Sequence, residues 1–503
     1  MNERPAGDPP RSGPAQAAVT WLFLRSLGLT MLAAFVSLRM QILGLVGSQG
    51  LLPAAKVLSA AGSRLGLAER FRELPTLFWL DASDRALLVA ATAGILLSLA
   101  LILDLAPRLS VLLLWALYLS FVTIGQDFFS FQWDNLLLES AFLGIFLAPG
   151  HLLPLPGGRI AAPPALVPFL CRWLLCRLLL ESGLSKLLGG DPSWRNLTAL
   201  QSYFETVPLP TPLSYYAHHL PPIVLQGIAL LTLAVEIPGA FFVLAPRGLR
   251  AWFFPVLLAF QIGIFLTGNY GIFNPLTVAL GLFLLTDSHL GWLRFLPRLR
   301  SFGRGAVGPG LLHRLAAFLL AAVVLPLSIY GFVGMWRPDW IRRADLPRRV
   351  IAFADGAEPF RSVNRYHLFA QMTHERDEVV IEGTTDGRTW RPYIFRWKPQ
   401  DPRREPVFVA PLHPRLDFQL WFLTLSPGPL PPYFVALLRG LCDRPAEMAR
   451  FFATDPFTLE APSAIRIQIY RYRFAPPAVR RQEGVVWQRE LTRTLGQVRC
   501  SSR

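Results

Sequence analysis

The stretch from Cys171 to Leu188, CRWLLCRLLLESGLSKLL, sets Arg172, Arg177, Glu181 and Lys186 into an otherwise apolar run. Arg177 and Glu181 stand four residues apart, which brings them onto one helix face as an ion pair. Ser182 and Lys186 share that spacing, so the hydroxyl can reach the ammonium. Burial penalises a charged lysine and lowers its pKa, which is how lysines become bases. Lys186, with Glu181 beside it, is therefore the candidate for proton abstraction. The competing reading is a helix-end lysine whose stem snorkels to the membrane surface.

FFSFQWDNLLLES (128–140) raises a related question. Asp134 is placed to cap the helix that follows, and Trp133 with the neighbouring phenylalanines fits an interfacial aromatic belt. Gln132 adds a polar group beside them. Glu139 lies about one turn into the apolar run, and an acid there needs a partner or a water-filled cavity. Tandem His218 and His219, downstream of Trp194, read either as interfacial hydrogen-bonding groups or as metal ligands. No Cys/His grouping has zinc spacing, so neither a metal nor a cofactor is expected. GNYGIFNP (268–275) contributes Asn269, Tyr270 and Asn274 in a glycine-interrupted turn.

The elements that must position these groups follow from hydropathy. The 503 residues are 52% hydrophobic and only 16% charged, and mean hydropathy is +0.39. A soluble chain carries about a quarter charged residues. Long apolar windows recur before residue 335 and mark membrane-spanning helices. The predicted fold is a polytopic α-helical membrane domain of about nine spans, at 17–44, 86–104, 109–127, 135–149, 166–188, 223–245, 251–267, 275–290 and 313–334. A Pro- and Arg-rich tail over 1–16 reads as disordered, the membrane domain as 17–334, and the first span as an uncleaved anchor.

Basic residues fix an orientation. Arg108, Arg159, Arg247, Arg250, Arg294, Arg298, Arg300 and Arg304 fall in alternate loops, whereas 126–134, 189–222 and 268–274 together hold only Arg195. By the positive-inside rule the N-terminus is cytoplasmic and the polar loops lie outside. The net charge of +16 is almost all arginine, with Lys56, Lys186 and Lys398 the three lysines. There is no basic tract interleaved with aromatics, so nucleic acid is not an expected partner. Cys171 and Cys176 lie on different helix faces, while Cys442 and Cys500 could pair only in an oxidising compartment.

Beyond residue 335 charges rise and runs shorten. DEVVIEG (377–383) alternates as a strand, TTDGRTW (384–390) is a turn, RPYIFRW (391–397) alternates again, and AIRIQIYRYRF (464–474) is a strong strand. PPYFVALLRGLC and PAEMARFF between them read as helices. Residues 335–503 are thus predicted to form a soluble, β-sandwich-like domain with a helical insert on the non-cytoplasmic side.

FQWDNLLLESAFLGIFLAP, RWLLCRLLLESGLSKLLGGDPSWRNLTAL, ETVPLPTPLSYYAHHLP, GNYGIFNPLTVAL, YHLFAQMTHERDEVVIEGTTDGRTWRPYIFRWKPQD and PVFVAPLHPRLDFQLWF together resemble the lipase maturation factor family. The resemblance implies an endoplasmic-reticulum membrane protein that helps secreted lipases fold and assemble, with a lumenal client-binding C-terminal domain. Arginine-rich composition points to a bacterial member in the inner membrane, with the C-terminal domain periplasmic and clients that need not be lipases. The implied partners are the lipid bilayer and an exported client. His367, Glu382, Asp386, Trp390, Arg415, Asp417 and Trp421 mark the family-like blocks of the soluble part, Trp390 and Trp421 being read as core. Gln132, Trp133, Asp134, Glu139, Trp194, His218, His219, Asn269, Tyr270 and Asn274 would build the outer membrane face, with Glu139 lining an outward-open cavity. SGLSKLLGGDPSWRNLTAL (182–200) also resembles a segment of vitamin K-dependent carboxylase-type membrane proteins, which would make Lys186 the base of a membrane enzyme. A transporter would want paired internal repeats, and none is evident.

Overall fold

The structure is a computed structural model that describes residues 16–154, 162–291, 308–337, 348–425 and 428–500. The tail before Gln16, the loop arginines Arg159, Arg294, Arg298, Arg300 and Arg304, and the junction after Arg337 lie outside the described residues. The helices up to Trp336 are α1 (Ala17–Val46), α2 (Ala54–Gly62), α3 (Leu67–Glu73), α4 (Asp84–Ile102), α5 (Pro107–Ile124), α6 (Gln132–Leu147), α7 (Leu166–Leu188), α8 (Pro192–Arg195), α9 (Ala199–Thr206), α10 (Pro212–His218), α11 (Pro222–Glu236), α12 (Pro238–Phe242), α13 (Arg247–Thr267), α14 (Phe273–Gly281) and α15 (Leu311–Trp336).

Among the described residues six segments are long and apolar enough to cross a bilayer: α1, α4, α5, α11 running into α12, α13 and α15. The other three expected spans correspond to elements of a different kind. α6 has 16 residues and buries most of them, α14 has nine, and α7 has 23 but carries four charges. The start of α1 is held by a distant acid. Asp287 accepts from the backbone N–H groups of Ala17 (3.0 Å), Ala18 (3.0 Å) and Val19 (3.1 Å), satisfying donors that a helix start otherwise leaves orphaned. α1 and α4 lie close together. Gly94 makes that approach possible, since a Cβ there would stand 2.2 Å from the Phe35 ring.

The C-terminal region is built on six strands: β1 (Arg376–Thr384), β2 (Arg391–Pro392), β3 (Ile394–Phe395), β4 (Phe452–Thr454), β5 (Ala464–Phe474) and β6 (Trp487–Arg499). They form an antiparallel four-stranded sheet, ordered β2-β1-β5-β6, and a two-stranded pair, β3-β4. In β1–β5 pairing Val379 faces Ile469 and Ile381 faces Ile467, so the apolar positions of both strands share one face. RPYIFRW does not make one strand: Tyr393 separates β2 from β3, and the two belong to different sheets. PAEMARFF is helical as expected, an α-helical turn over Pro445–Met448 running into a 3-10 turn over Ala449–Phe451. PPYFVALLRGLC forms the helix Pro432–Asp443.

A disulfide between Cys442 and Cys500 ties that helix to the end of β6 across 58 residues. A crosslink of this span restricts the unfolded chain and contributes about 2–4 kcal/mol. Replacing both cysteines with serine is expected to lower the thermal midpoint of the purified protein, and reducing agent should lower the wild type to the same value. Equal midpoints for wild type and variant would show that the bond contributes nothing. Cys171 and Cys176 are free and buried.

Candidate functional site

The charges inside α6 and α7 hold a strap. Residues 361–372 run along the two helices, and their backbone groups are met one after another by buried and half-buried side chains. Gln132 Oε1 accepts from His367 N (3.1 Å). Glu139 Oε2 accepts from Asn364 N (2.9 Å) and the Tyr366 hydroxyl (2.9 Å). Glu181 accepts from Tyr366 N (2.7 Å). Arg177 donates to the Asn364 carbonyl (2.8 Å), pairs directly with Glu139, and lies 4.0 Å from Glu181. Lys186 donates to the Leu368 carbonyl (3.1 Å), the Trp194 indole to the Phe369 carbonyl (3.0 Å), and Asp191 accepts from Met372 N (2.5 Å). Extended backbone against an apolar bundle must find internal partners or be expelled. The polar residues of α6 and α7 are those partners.

Two expectations about this region change. Lys186 does not pair with the Ser182 hydroxyl. Its Nζ lies 2.8 and 2.7 Å from the two carboxylate oxygens of Glu236 on α11, and its only bond to Ser182 goes to the carbonyl (3.4 Å). An ion pair outcompetes a neutral hydroxyl for an ammonium. Nor does Asp134 cap α6. It sits in the first turn, fully buried, and accepts both Arg415 nitrogens at 2.7 and 2.9 Å and the Tyr118 hydroxyl at 2.5 Å. Arg415 also lies 3.6 Å over the Phe129 ring.

Arg415 belongs to a second tether. Asn269 bonds the Val407 carbonyl (2.8 Å) and the Val409 and Ala410 amides (2.8 and 3.0 Å). Ser37 and Gln41 on α1 bond the backbone of His413 and Arg415. These two segments, with further links from Arg376, Phe474 and Ala475 to the bundle, bind the C-terminal region to it.

Between the strap, α7, α11 and α13 lies a cavity of about 1560 Å³. Its lining is mostly apolar and includes Gln132, Trp133, Lys186, Trp194, Tyr270, His367 and Trp421. Glu139 is not part of it, because the strap covers that carboxylate. Trp133 is not a belt residue: it is 5% exposed, stacked on Phe131 and edge-on to His413 and Phe418. Trp421 is half-buried on the cavity wall, and Trp390 half-buried beneath Arg466, with 4.5 Å between guanidinium and ring, so neither is core. Tyr270 shares a 2.8 Å hydrogen bond with Tyr203, and Asn274 donates to Gln261 at 2.9 Å.

The remaining candidates hold local structure. Glu382 pairs with Arg466 across the β1–β5 ladder at 2.6 Å. Asp386 accepts from the Arg388 and Thr389 amides (2.8 and 2.7 Å), which holds its carboxyl below the usual range and closes the turn that Gly387, at φ +68°, permits. Asp417 accepts from Trp397 N and Lys398 N (2.8 and 3.1 Å), yet burial raises its carboxyl to about 6.

His218 lies 3.6 Å from Glu205, and His219 bonds the Tyr215 carbonyl at 2.8 Å. Burial, with His219 beside it, lowers His218 from 6.5 to about 4. The unfolded chain then takes up a proton that the fold refuses as pH falls through that window, so this contribution is lost on acidification. Burial raises Glu205 and gives a slope of opposite sign. His218→Gln is therefore expected to make thermal stability less acid-sensitive between about pH 6.5 and 4. An unchanged pH profile would contradict the assignment.

Glu236 was legible in the sequence, being an acid in an apolar span like Glu139, but it was not singled out. Asn364 and Tyr366 carry no such mark. The same holds for Arg376, which donates to the carbonyls of Glu205, Val207 and Pro208 (2.9, 2.5 and 2.9 Å) and to Glu378 (2.5 Å).

Comparison with known proteins decides the family. The sequence model of the lipase maturation factor transmembrane domain matches residues 18–292, and that of the lipase maturation factor C-terminal domain matches 362–496. The chain belongs to the lipase maturation factor family. Lipase maturation factor 2 of Gallus gallus is 33% identical, over 94% of this chain and 79% of the relative. The human lipase maturation factor 2 is 32% identical, over 93% of this chain and 81% of the relative. Lipase maturation factor 1 of Bos taurus is 30% identical over 98% and 93%. No solved structure matches the chain. The second tether, and the strap from Ser362 onward, fall inside the matched C-terminal family domain. The helices that receive them fall inside the matched transmembrane domain.

Proposed function

We propose that this lipase maturation factor relative helps secreted lipases, or other exported clients, to fold and assemble by binding them. The site would be the face of the membrane domain that carries the C-terminal region. The family match is the observation that carries the reading. The Cys442–Cys500 disulfide supports a non-cytoplasmic position for residues 335–503, hence a cytoplasmic N-terminus, in a bacterial inner membrane or an endoplasmic reticulum. In this reading 17–334 cross the membrane about nine times, with α6, α7 and α14 enclosed by the six long helices. The β3-β4 pair and the four-stranded sheet then form the two layers of a small sandwich.

Burial divides the candidate contacts. His367 and Asp386 are exposed and Trp390 half-exposed, which suits them to meet a client, whereas Arg415 and Asp417 are buried and hold structure. β6 adds an open edge, exposed from Gln488 to Arg499, with Leu491, Leu495 and Val498 on view. An incompletely assembled client can pair with such an edge through backbone hydrogen bonds. The carboxylase-like alternative fares worse. The Lys186 ammonium is engaged by Glu236, the Leu368 carbonyl and the Ser182 carbonyl, which leaves it closed to a substrate proton.

The test is the activity of an exported host lipase, per unit of lipase protein, in cells with and without this gene. The reading expects a severalfold loss on deletion that the wild-type gene restores. Unchanged specific activity would remove lipases as clients.

A further inference from the structure

The cavity beneath the strap is larger than client binding at a surface requires, and its chemistry points elsewhere. At about 1560 Å³ it exceeds the ~300–1,000 Å³ of ordinary small-molecule pockets. Its walls are mainly apolar, and two of the uncharged residues that line it each carry a buried polar group with no hydrogen-bond partner. These are the Trp133 indole N–H and the Ser182 hydroxyl, on residues 5% and 3% exposed. Buried donors are ordinarily satisfied, so these two await an acceptor. The charged residues on the wall, Lys186 and Glu236, neutralise one another and offer no net charge to a ligand.

One side of the cavity is walled by α11 and α13, two of the helices long and apolar enough to cross a membrane. Val256 on α13 and Leu231 on α11 line the cavity and are exposed. Gly263 lines it on α13 as well, is exposed, and has no atom within 4 Å of where a Cβ would stand. With α11 and α13 as membrane spans, a mouth at this place would lie beside lipid hydrocarbon. An apolar hollow beside acyl chains fills with acyl chains in preference to water.

We propose that the cavity is a binding site for an acyl-chain lipid with an uncharged, ester- or hydroxyl-bearing head, entering sideways between α11 and α13. The chains occupy the apolar interior, and the head accepts hydrogen bonds from Trp133 and Ser182. The strap residues Leu368 and Phe369 form part of the wall, so the bound lipid abuts the segment that ties the C-terminal region to the bundle.

The experiment uses the full-length protein in phosphatidylcholine nanodiscs with a diacylglycerol that carries a diazirine on one acyl chain. Light should attach it to peptides covering α13 and the strap. Gly263→Trp should lower that labelling roughly tenfold by filling the mouth. Gly227→Trp is the control: that glycine also has open space around it, on an exposed α11 position outside the cavity. It should label like wild type. Trp133→Phe removes one hydrogen bond and should lower labelling by the diacylglycerol about three- to tenfold, while a headless alkyl diazirine labels as before. Labelling that Gly263→Trp leaves intact, or that falls equally on the outer face of α15, would overturn the proposal. Displacement of the probe by an apolar client peptide, but not by excess dioleoylglycerol, would overturn it in favour of a protein ligand.

Discussion

Arg177→Met is expected to release the strap and destabilise the whole protein. Arg177 stands between Glu139 and Glu181, and all three are buried. Removing the cation leaves two carboxylates facing one another without compensation, and breaking a buried pair in this way costs about 3–5 kcal/mol. The loss also reaches the backbone, because Arg177 donates to the Asn364 carbonyl while the two acids accept from Asn364 and Tyr366. Trypsin should then cut after Arg361 and Arg365 at least roughly tenfold faster, since local opening follows the lost free energy. Arg177→Met combined with Glu181→Gln should recover part of the loss, because one orphaned acid becomes neutral. Wild-type cleavage rates in Arg177→Met would mean that the strap is held by other contacts.

Arg415→Lys should be nearly as damaging as Arg415→Ala, which is an unusual expectation for a charge-conserving change. Arg415 donates to both oxygens of Asp134, to the Phe128 carbonyl at 2.6 Å and to the Tyr118 hydroxyl at 3.2 Å, while stacking on Phe129. A lysine supplies a point charge and no planar fork, so it loses the bidentate contact and the stack. With Asp134 fully buried, Arg415→Ala is expected to cost about 3–5 kcal/mol. A double-mutant cycle with Asp134→Asn should show strong coupling, on the order of 2 kcal/mol or more. Additive losses in thermal unfolding would show that the pair does not act as a unit.

The long apolar helices were legible because hydropathy acts within a single segment. β5 was legible because AIRIQIYRYRF alternates on either side of the Ile469–Tyr470 step, where its register with β6 shifts. β6 leaves no such signal: its side chains beyond Trp487 are exposed, so WQRELTRTLGQVR carries no buried periodicity. The sequence also told that Glu139 and Lys186 need partners, since burial without one is too costly. It could not name them. Glu139 is met by Arg177, Asn364 and Tyr366, and Lys186 by Glu236 and Leu368, and such long-range contacts leave no local spacing. Where local spacing did offer a partner it misled for Ser182, whose hydroxyl lost to a carboxylate from another helix. The i,i+4 pair of Arg177 with Glu181 survives at 4.0 Å, subordinate to the closer contact with Glu139.

Maturation by binding, with Lys186 as a structural ion, is the central claim, and Lys186→Ala alone is a poor test of it. That change leaves Glu236 buried and unpaired, so a loss of function could follow from misfolding alone. Lys186→Met with Glu236→Leu removes both charges together, a replacement that is often neutral or stabilising. The decisive measurement is the specific activity of an exported lipase in cells lacking the gene, complemented with wild type or with this double variant at matched membrane levels. The expected result is that both restore activity equally. If the double variant accumulates in the membrane with its Cys442–Cys500 bond formed but restores nothing, Lys186 does chemistry and the binding account is wrong.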